Sequence, residues 1–257
     1  MSGNTFLELN HVSVRFNTKE GPIDVLENIN LRVRKGDFIC VVGPSGCGKT
    51  TILRIIAGFL FPSSGEVRME DELVTGPSCH RGMVFQQPGL YPWLNVVENV
   101  QFGPKMRGAP KKERRRTAEF YLRMVDLWDF RNRPPYELSG GMQQRVAIAR
   151  VLANNPKMLL MDEPFGALDA LTRDYLQEEL LRIWRETHKT VVFITHSVEE
   201  AVYLATSVVV ISPRPGKIVS ILTSPFSKEY SSMDSRAVKS CPEFVNLREQ
   251  VLRLILR

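Results

Sequence analysis

Long apolar runs are missing from this chain of 257 residues, in which no stretch approaches the roughly 20 consecutive hydrophobic residues that cross a bilayer. A membrane span is therefore not expected. Cysteine is scarce: Cys40, Cys47, Cys79 and Cys241 show no CxxC pairing, which argues against a zinc site or a disulfide scaffold and suits a reducing compartment. The opening residues MSGNTF offer neither the charged nor the apolar region of a secretory leader, so a cytoplasmic location is expected. No RNP-type aromatic motif accompanies the densest basic run, Lys111 to Arg116 (KKERRR), and the net charge of +6 is not read as a nucleic-acid footprint. That run opens a segment in which Ala118, Leu122 and Val125 recur at helical spacing, and it fits the solvated end of an amphipathic helix.

What is present is an ordered alternation. Leu7 and Leu9, then Val12, Val14 and Phe16 after a one-residue slip, and later Ile29, Leu31 and Val33 predict antiparallel strands. Thr51 to Leu60 places Leu53, Ile56, Ala57 and Leu60 on one helical face. A hairpin-like piece and a strand Met83 to Phe85 follow. Helices and breakers fill Gln86 to Pro156, after which short apolar runs return at Met158 to Met161, Val191 to Ile194 and Val208 to Ile211, the mark of a parallel α/β core. Ser212 to Gly216 (SPRPG) reads as a turn, and Phe244, Leu247, Val251, Leu254 and Ile255 predict a closing helix in a tail too short for a regulatory domain. The organisation expected is residues 1–87 for an antiparallel β subdomain and the first part of the core, 88–154 for an inserted helical subdomain, 155–222 for the rest of the core, and 223–257 for the tail.

Chemistry concentrates in three places. Gly43, Pro44, Ser45, Gly46, Cys47, Gly48, Lys49 and Thr50 spell GPSGCGKT directly after the apolar run Phe38 to Val42. Such a glycine-rich turn between strand and helix aims backbone amides at a triphosphate, Lys49 at its β and γ oxygens and the Thr50 hydroxyl at Mg2+, with Thr51 adding an α-phosphate contact. Cys47 has no chemical task there, but a bulky adduct on it would obstruct nucleotide. A second strand, Met158 to Met161, ends on Asp162 and Glu163. Asp162 supplies the hard oxygen ligand that magnesium prefers, and Glu163 stands where a base can polarise water, whereas acids at a strand end can also serve merely as caps. The third is Leu138 to Gln144 (LSGGMQQ), in which Ser139, Gly140 and Gly141 precede a helix carrying Val146, Ile148, Ala149 and Leu152; serine hydroxyl, glycine amides and helix dipole form a second anion site, and equally an ordinary cap.

With these motifs the chain resembles the ATP-binding cassette family from Leu7 to Leu256. The resemblance implies a phosphate-loop NTPase core and a head-to-tail pair of identical chains, the helix after Ser139 facing the γ-phosphate held by the other copy, with Gln143 among the nucleotide-facing residues. It implies further that Gln86, leading the breaker-rich loop to Trp93, touches magnesium and water while its loop meets membrane subunits; that Ala167, Leu168 and Asp169 cross the dimer interface; and that His196 contacts the γ-phosphate and orients water. A lone histidine is also a common surface or core residue. Phe16 is the candidate to stack on adenine, and an alternating strand would equally bury it.

Asp162 to Arg173 (DEPFGALDALTR), Tyr91-Pro92-Trp93 and the tail Ser235 to Leu256 look most like the ATPase subunits of nitrate, sulfonate and taurine importers, with Met142-Gln143-Gln144 as a departure. The partners so implied are a second copy, transmembrane permease subunits at the cytoplasmic face of the membrane and, indirectly, a substrate-binding protein; the cofactors are ATP and Mg2+. An exporter ATPase would share the same catalytic residues. A small-molecule kinase would have no use for LSGGMQQ or His196, and a two-cassette protein would not fit this length.

Overall fold

The computed structural model describes residues 5–19, 21–166, 168–229 and 234–256. The first four of the residues read for a leader, Ala167 of the expected interface loop and part of the Ser-rich stretch lie outside them. Packing divides the chain into two units, one made of residues up to Ser78 and from His188 onward, the other of Cys79–Thr187.

The first unit begins with the long pair β1 (Thr5–Thr18) and β2 (Gly21–Arg34), antiparallel, with a register shift between Leu9 and Val12 where the hydrophobic alternation slips. β3 (Phe38–Val42) is buried along its whole length, as a continuous apolar run requires. α1 (Lys49–Ala57) follows the phosphate loop. It starts before and stops short of the expected Thr51 to Leu60 span, because left-handed Gly58 caps it by donating to the Arg54 and Ile55 carbonyls, leaving Leu60 beyond the helix. β4 (Ser64–Met69) and β5 (Glu72–Leu73) complete a four-stranded antiparallel sheet in the order β2-β1-β4-β5.

The second unit holds β6 (Arg81–Val84), α2 (Val96–Met106), α3 (Lys111–Met124), α4 (Gly140–Leu152), β7 (Met158–Asp162) and α5 (Ala170–Thr187). β6 and β7 pair in parallel, and Phe85 lies just past β6 instead of inside it. Ala118 and Leu122 of α3 are buried while its basic first turn is wet. The borders at 87, 154 and 222 are finer than the two-way division, and α2, α3 and α4 all fall within 88–154.

The chain then returns to the first unit as β8 (Thr190–Ile194), α6 (Val198–Leu204), β9 (Ser207–Ile211), β10 (Ile218–Thr223), α7 (Phe226–Glu229), α8 (Ser235–Ser240) and α9 (Pro242–Ile255). β3 lies between β8 and β9, parallel to both, and β10 pairs antiparallel on β9. Among the described residues no helix is long and apolar enough to cross a membrane.

Candidate functional site: a phosphate loop, a carboxylate strand and a capped signature helix

In the first unit the loop Gly43–Gly48 joins β3 to α1. Its last residue, Gly48, is the N-cap of α1 at φ 100, where a Cβ would stand 2.6 Å from Leu26 Cδ2; backbone conformation and packing both exclude a side chain. The cap makes no side-chain hydrogen bond and the first turn carries no acid, so the helix N-terminus offers its amides and positive dipole end to an outside anion.

Lys49 is only 7% exposed. Its Nζ donates to the Gly43 and Pro44 carbonyls, each at 2.9 Å, which anchors the ammonium under the loop. Cys47 is buried with Sγ 4.0 Å from that ammonium, and burial pushes its thiol pKa up against the opposing pull of Lys49. Ser45 and Gly46 are exposed and Thr50 and Thr51 half-buried.

The turn Ser212 to Gly216 does more than reverse the chain. Arg214 donates from Nη2 and Nε to the Gly46 carbonyl, at 3.1 and 3.3 Å, while the Gly216 amide bonds the Val25 carbonyl and its own carbonyl accepts from the Glu27 amide. Phe16 is 40% exposed on β1, so burial in a core does not account for it. His196 is exposed two residues after the end of β8.

In the second unit Asp162 ends β7 and Glu163 follows in a left-handed backbone conformation, φ 44, a costly setting for a side chain and one that clusters at functional positions. A Cβ at Gly166 would lie 3.7 Å from Gln86 Nε2 and 3.8 Å from Glu163 Oε2, so these two side chains border the same small space. Ser139 is the N-cap of α4, its hydroxyl accepting from the Met142 amide at 3.3 Å while Ser139 and Gly140 stay exposed. Gly141 is buried, and a Cβ there would come within 2.9 Å of Thr172 Cγ2, which ties the signature glycine to the start of α5. Gln143 Nε2 donates to the Leu138 carbonyl at 3.1 Å. Asp169 accepts from the Thr172 amide at 3.0 Å, and this bond, with a second from the Thr172 hydroxyl, holds its carboxyl below the usual range.

Two residues outside the motifs, Asn99 and Arg150, and one at the end of the LSGGMQQ motif, Gln144, organise this unit. Asn99, fully buried on α2, accepts from the Tyr91 amide at 2.8 Å and points Nδ2 at the Tyr91, Leu94 and Asn95 carbonyls. Arg150 of α4 donates to the Gly89 and Pro88 carbonyls at 2.8 and 2.9 Å and lies over the Tyr91 ring. Gln144 reaches the Phe85 carbonyl at 3.3 Å. The loop from Gln86 to Trp93 is thus held by α2 and α4 while Trp93 itself is 74% exposed. A polar Asn among the buried Val96 and Val100 was the one sequence signal available.

The residues present fit a magnesium nucleotide. In the first unit the start of α1, with no side-chain cap, and an anchored ammonium suit polyphosphate; in the second unit Asp162 and Gln86 are hard donors of the kind magnesium takes. No group of three or more His, Cys, Asp or Glu converges among the described residues, and a metal brought with its nucleotide does not need one.

Fold and half-sites together define a phosphate-loop nucleotide-binding protein. Within that class, the family profile described as ABC transporter matches residues 26–166. The taurine import ATP-binding protein TauB of Roseobacter denitrificans is 50% identical over 98% of this chain and 94% of its own length. The protein of the same name from Chromobacterium violaceum is 51% identical over 96% of the chain and 94% of its own. A dimeric post-hydrolysis state of the ATP-binding cassette MJ0796 bound to ADP and Pi superposes with a TM-score of 0.75 at 36% identity, covering 84% of this chain and 98% of that one. The chain belongs to the ABC transporter family and is one of its ATP-binding cassettes.

Proposed function

We propose that this chain is the ATP-hydrolysing subunit of an importer for taurine or a closely related sulfonate or small anion, working as a head-to-tail pair on the cytoplasmic face of the membrane against separate permease subunits fed by a substrate-binding protein. The observation that carries this reading is identity of about half the residues, over nearly the whole of both chains, with relatives named for taurine import.

The loop amides and Lys49 hold the phosphates, and Thr50, Asp162 and Gln86 would hold the metal. Magnesium, when bound with the nucleotide, would supply charge neutralisation for the phosphoryl group being transferred. Glu163, sharing its space with Gln86, accepts a proton from the attacking water, and His196 orients that water toward the γ-phosphoryl. Ser139 and the exposed start of α4 face the nucleotide of the second copy, Leu168 and Asp169 line the seam between copies, and Phe16 stacks on the base. Trp93 and its braced loop meet the permease. We propose residues 88–154 as the inserted helical subdomain that carries the LSGGMQQ motif beside that loop.

Reconstitution with the permease and binding protein of a taurine importer tests the assignment. Taurine or a small alkanesulfonate should stimulate ATP turnover several-fold. Stimulation by an unrelated sugar or amino acid, with none by sulfonates, would overturn it.

A further inference from the structure

We infer that the C-terminal segment is a clamp on α6 that fixes His196, so that it sets the rate of ATP hydrolysis without contributing to nucleotide affinity; this rests on the ATPase reading above.

The backbone on either side of His196 is tied to two elements. Before it, Thr195 directly follows β8, which is fixed by its parallel register with β3, and its amide donates to the Val41 carbonyl at 3.4 Å. After it, Ser197 caps α6, its amide donating to Thr195 Oγ1 at 3.0 Å and its hydroxyl accepting from the Glu200 amide at 3.3 Å. α6 has seven residues, well below the roughly 12–15 at which a helix is even marginally stable alone in water, so its packing partners decide where it sits.

One side of α6 rests on β3 and β9, and the tail holds the helix at both of its ends. Buried Ser224 donates its hydroxyl to the Val202 carbonyl at 2.6 Å, and buried Ser227 donates to the Ala205 carbonyl at 2.9 Å, filling acceptors that the last turn of a helix leaves open. At the other end Lys239 of α8 sets its Nζ 3.5 Å from Glu199 Oε1 in the first turn of α6 and 5.1 Å from the centre of the Tyr203 ring. α7 is locked to α9 by Phe226 and Phe244, whose buried rings stand 5.1 Å apart, edge to face. A residue that aligns an attacking water is sensitive to displacements of about 1 Å. These contacts end on α6, whereas the phosphate loop amides and Lys49 supply most of the hold on nucleotide, so the clamp acts through His196 on rate and leaves binding nearly unchanged.

The test uses the full chain with Mg-ATP, at a temperature where circular dichroism shows every variant folded. Ser227→Ala and Lys239→Ala should each lower kcat about three- to tenfold, with KM and the Kd for ATP held within about twofold, and Lys239→Arg should restore the rate. In a His196→Ala background Lys239→Ala should cost nothing further, because both changes remove the same function. Unchanged kcat alongside a lowered Tm, or a loss in the double variant equal to the product of the single losses, would overturn the clamp. A parental chain that binds Mg-ATP without turning it over would instead overturn the ATPase reading.

Discussion

Replacing Asn99 by alanine should loosen the loop that presents Trp93 while leaving the nucleotide motifs intact. The side chain is 0% exposed, and its amide oxygen takes the Tyr91 N–H at 2.8 Å. Its two Nδ2 hydrogens have three carbonyls within reach, Tyr91 at 3.1 Å and Leu94 and Asn95 at 3.0 Å each. Alanine therefore removes three hydrogen bonds at once. Each contributes about 1 kcal/mol net, and the stranded Tyr91 amide adds its own desolvation cost, whereas the half-buried Tyr91 and Leu94 can recover part of the loss from water. The expected destabilisation is about 2–3 kcal/mol. Urea unfolding followed by fluorescence should show a lower midpoint at unchanged slope, and limited proteolysis should cut first near Trp93. Hydrolysis by the isolated chain should persist while stimulation by the permease falls. A change below about 0.5 kcal/mol, or no new cleavage in this loop, would refute the view that Asn99 holds it.

Glu163→Gln should bind Mg-ATP, hydrolyse it at least about 100-fold more slowly and accumulate as a dimer in size-exclusion chromatography; hydrolysis at the parental rate would remove Glu163 from the role of base. Cys47 should react with maleimide far more slowly than exposed Cys79, its rate should climb with pH beyond the ordinary thiol range because burial raises its pKa, and ATP should slow it further; equal labelling with and without ATP would argue against the loop as the binding site. The Asp169 carboxyl is depressed in the folded state, so its stabilising effect is complete above the ordinary aspartate pKa and fades as pH drops through the lower folded value; Asp169→Asn should flatten that acid limb of the stability curve, as thermal melts between pH 3 and about 6 would reveal. Arg214→Ala, which releases the Gly46 carbonyl, should raise KM for ATP, and an unchanged KM would reduce that contact to turn packing.

Local rules carried much of the architecture. The slip between Leu9 and Val12 is visible because strand side chains alternate, and GPSGCGKT is readable because strand, glycine turn and helix occur within a few residues of each other. Ser139 as the cap of α4 is similarly local. The end of α1 was misjudged because Leu60 continues the apolar face, while the left-handed cap at Gly58 stops the helix first. The partners of Arg150, Gln144 and Arg214 are not legible for a different reason: their acceptors lie 61, 59 and 168 positions away in the chain, and no spacing rule connects a side chain to a carbonyl at that separation. SPRPG looked like punctuation on composition alone, and only the approach of Arg214 to Gly46 gives it a second role.

Lys49 is held in place by the loop that surrounds it. A free lysine has about 2 kcal/mol of rotamer freedom to lose when it is immobilised, and much of that loss has already occurred here through the two carbonyls under its ammonium. Nucleotide capture then requires little rearrangement at this position, which favours fast, reversible loading. The same anchorage makes the site intolerant of arginine, whose planar fork cannot bridge two carbonyls on one side and offer a compact charge on the other.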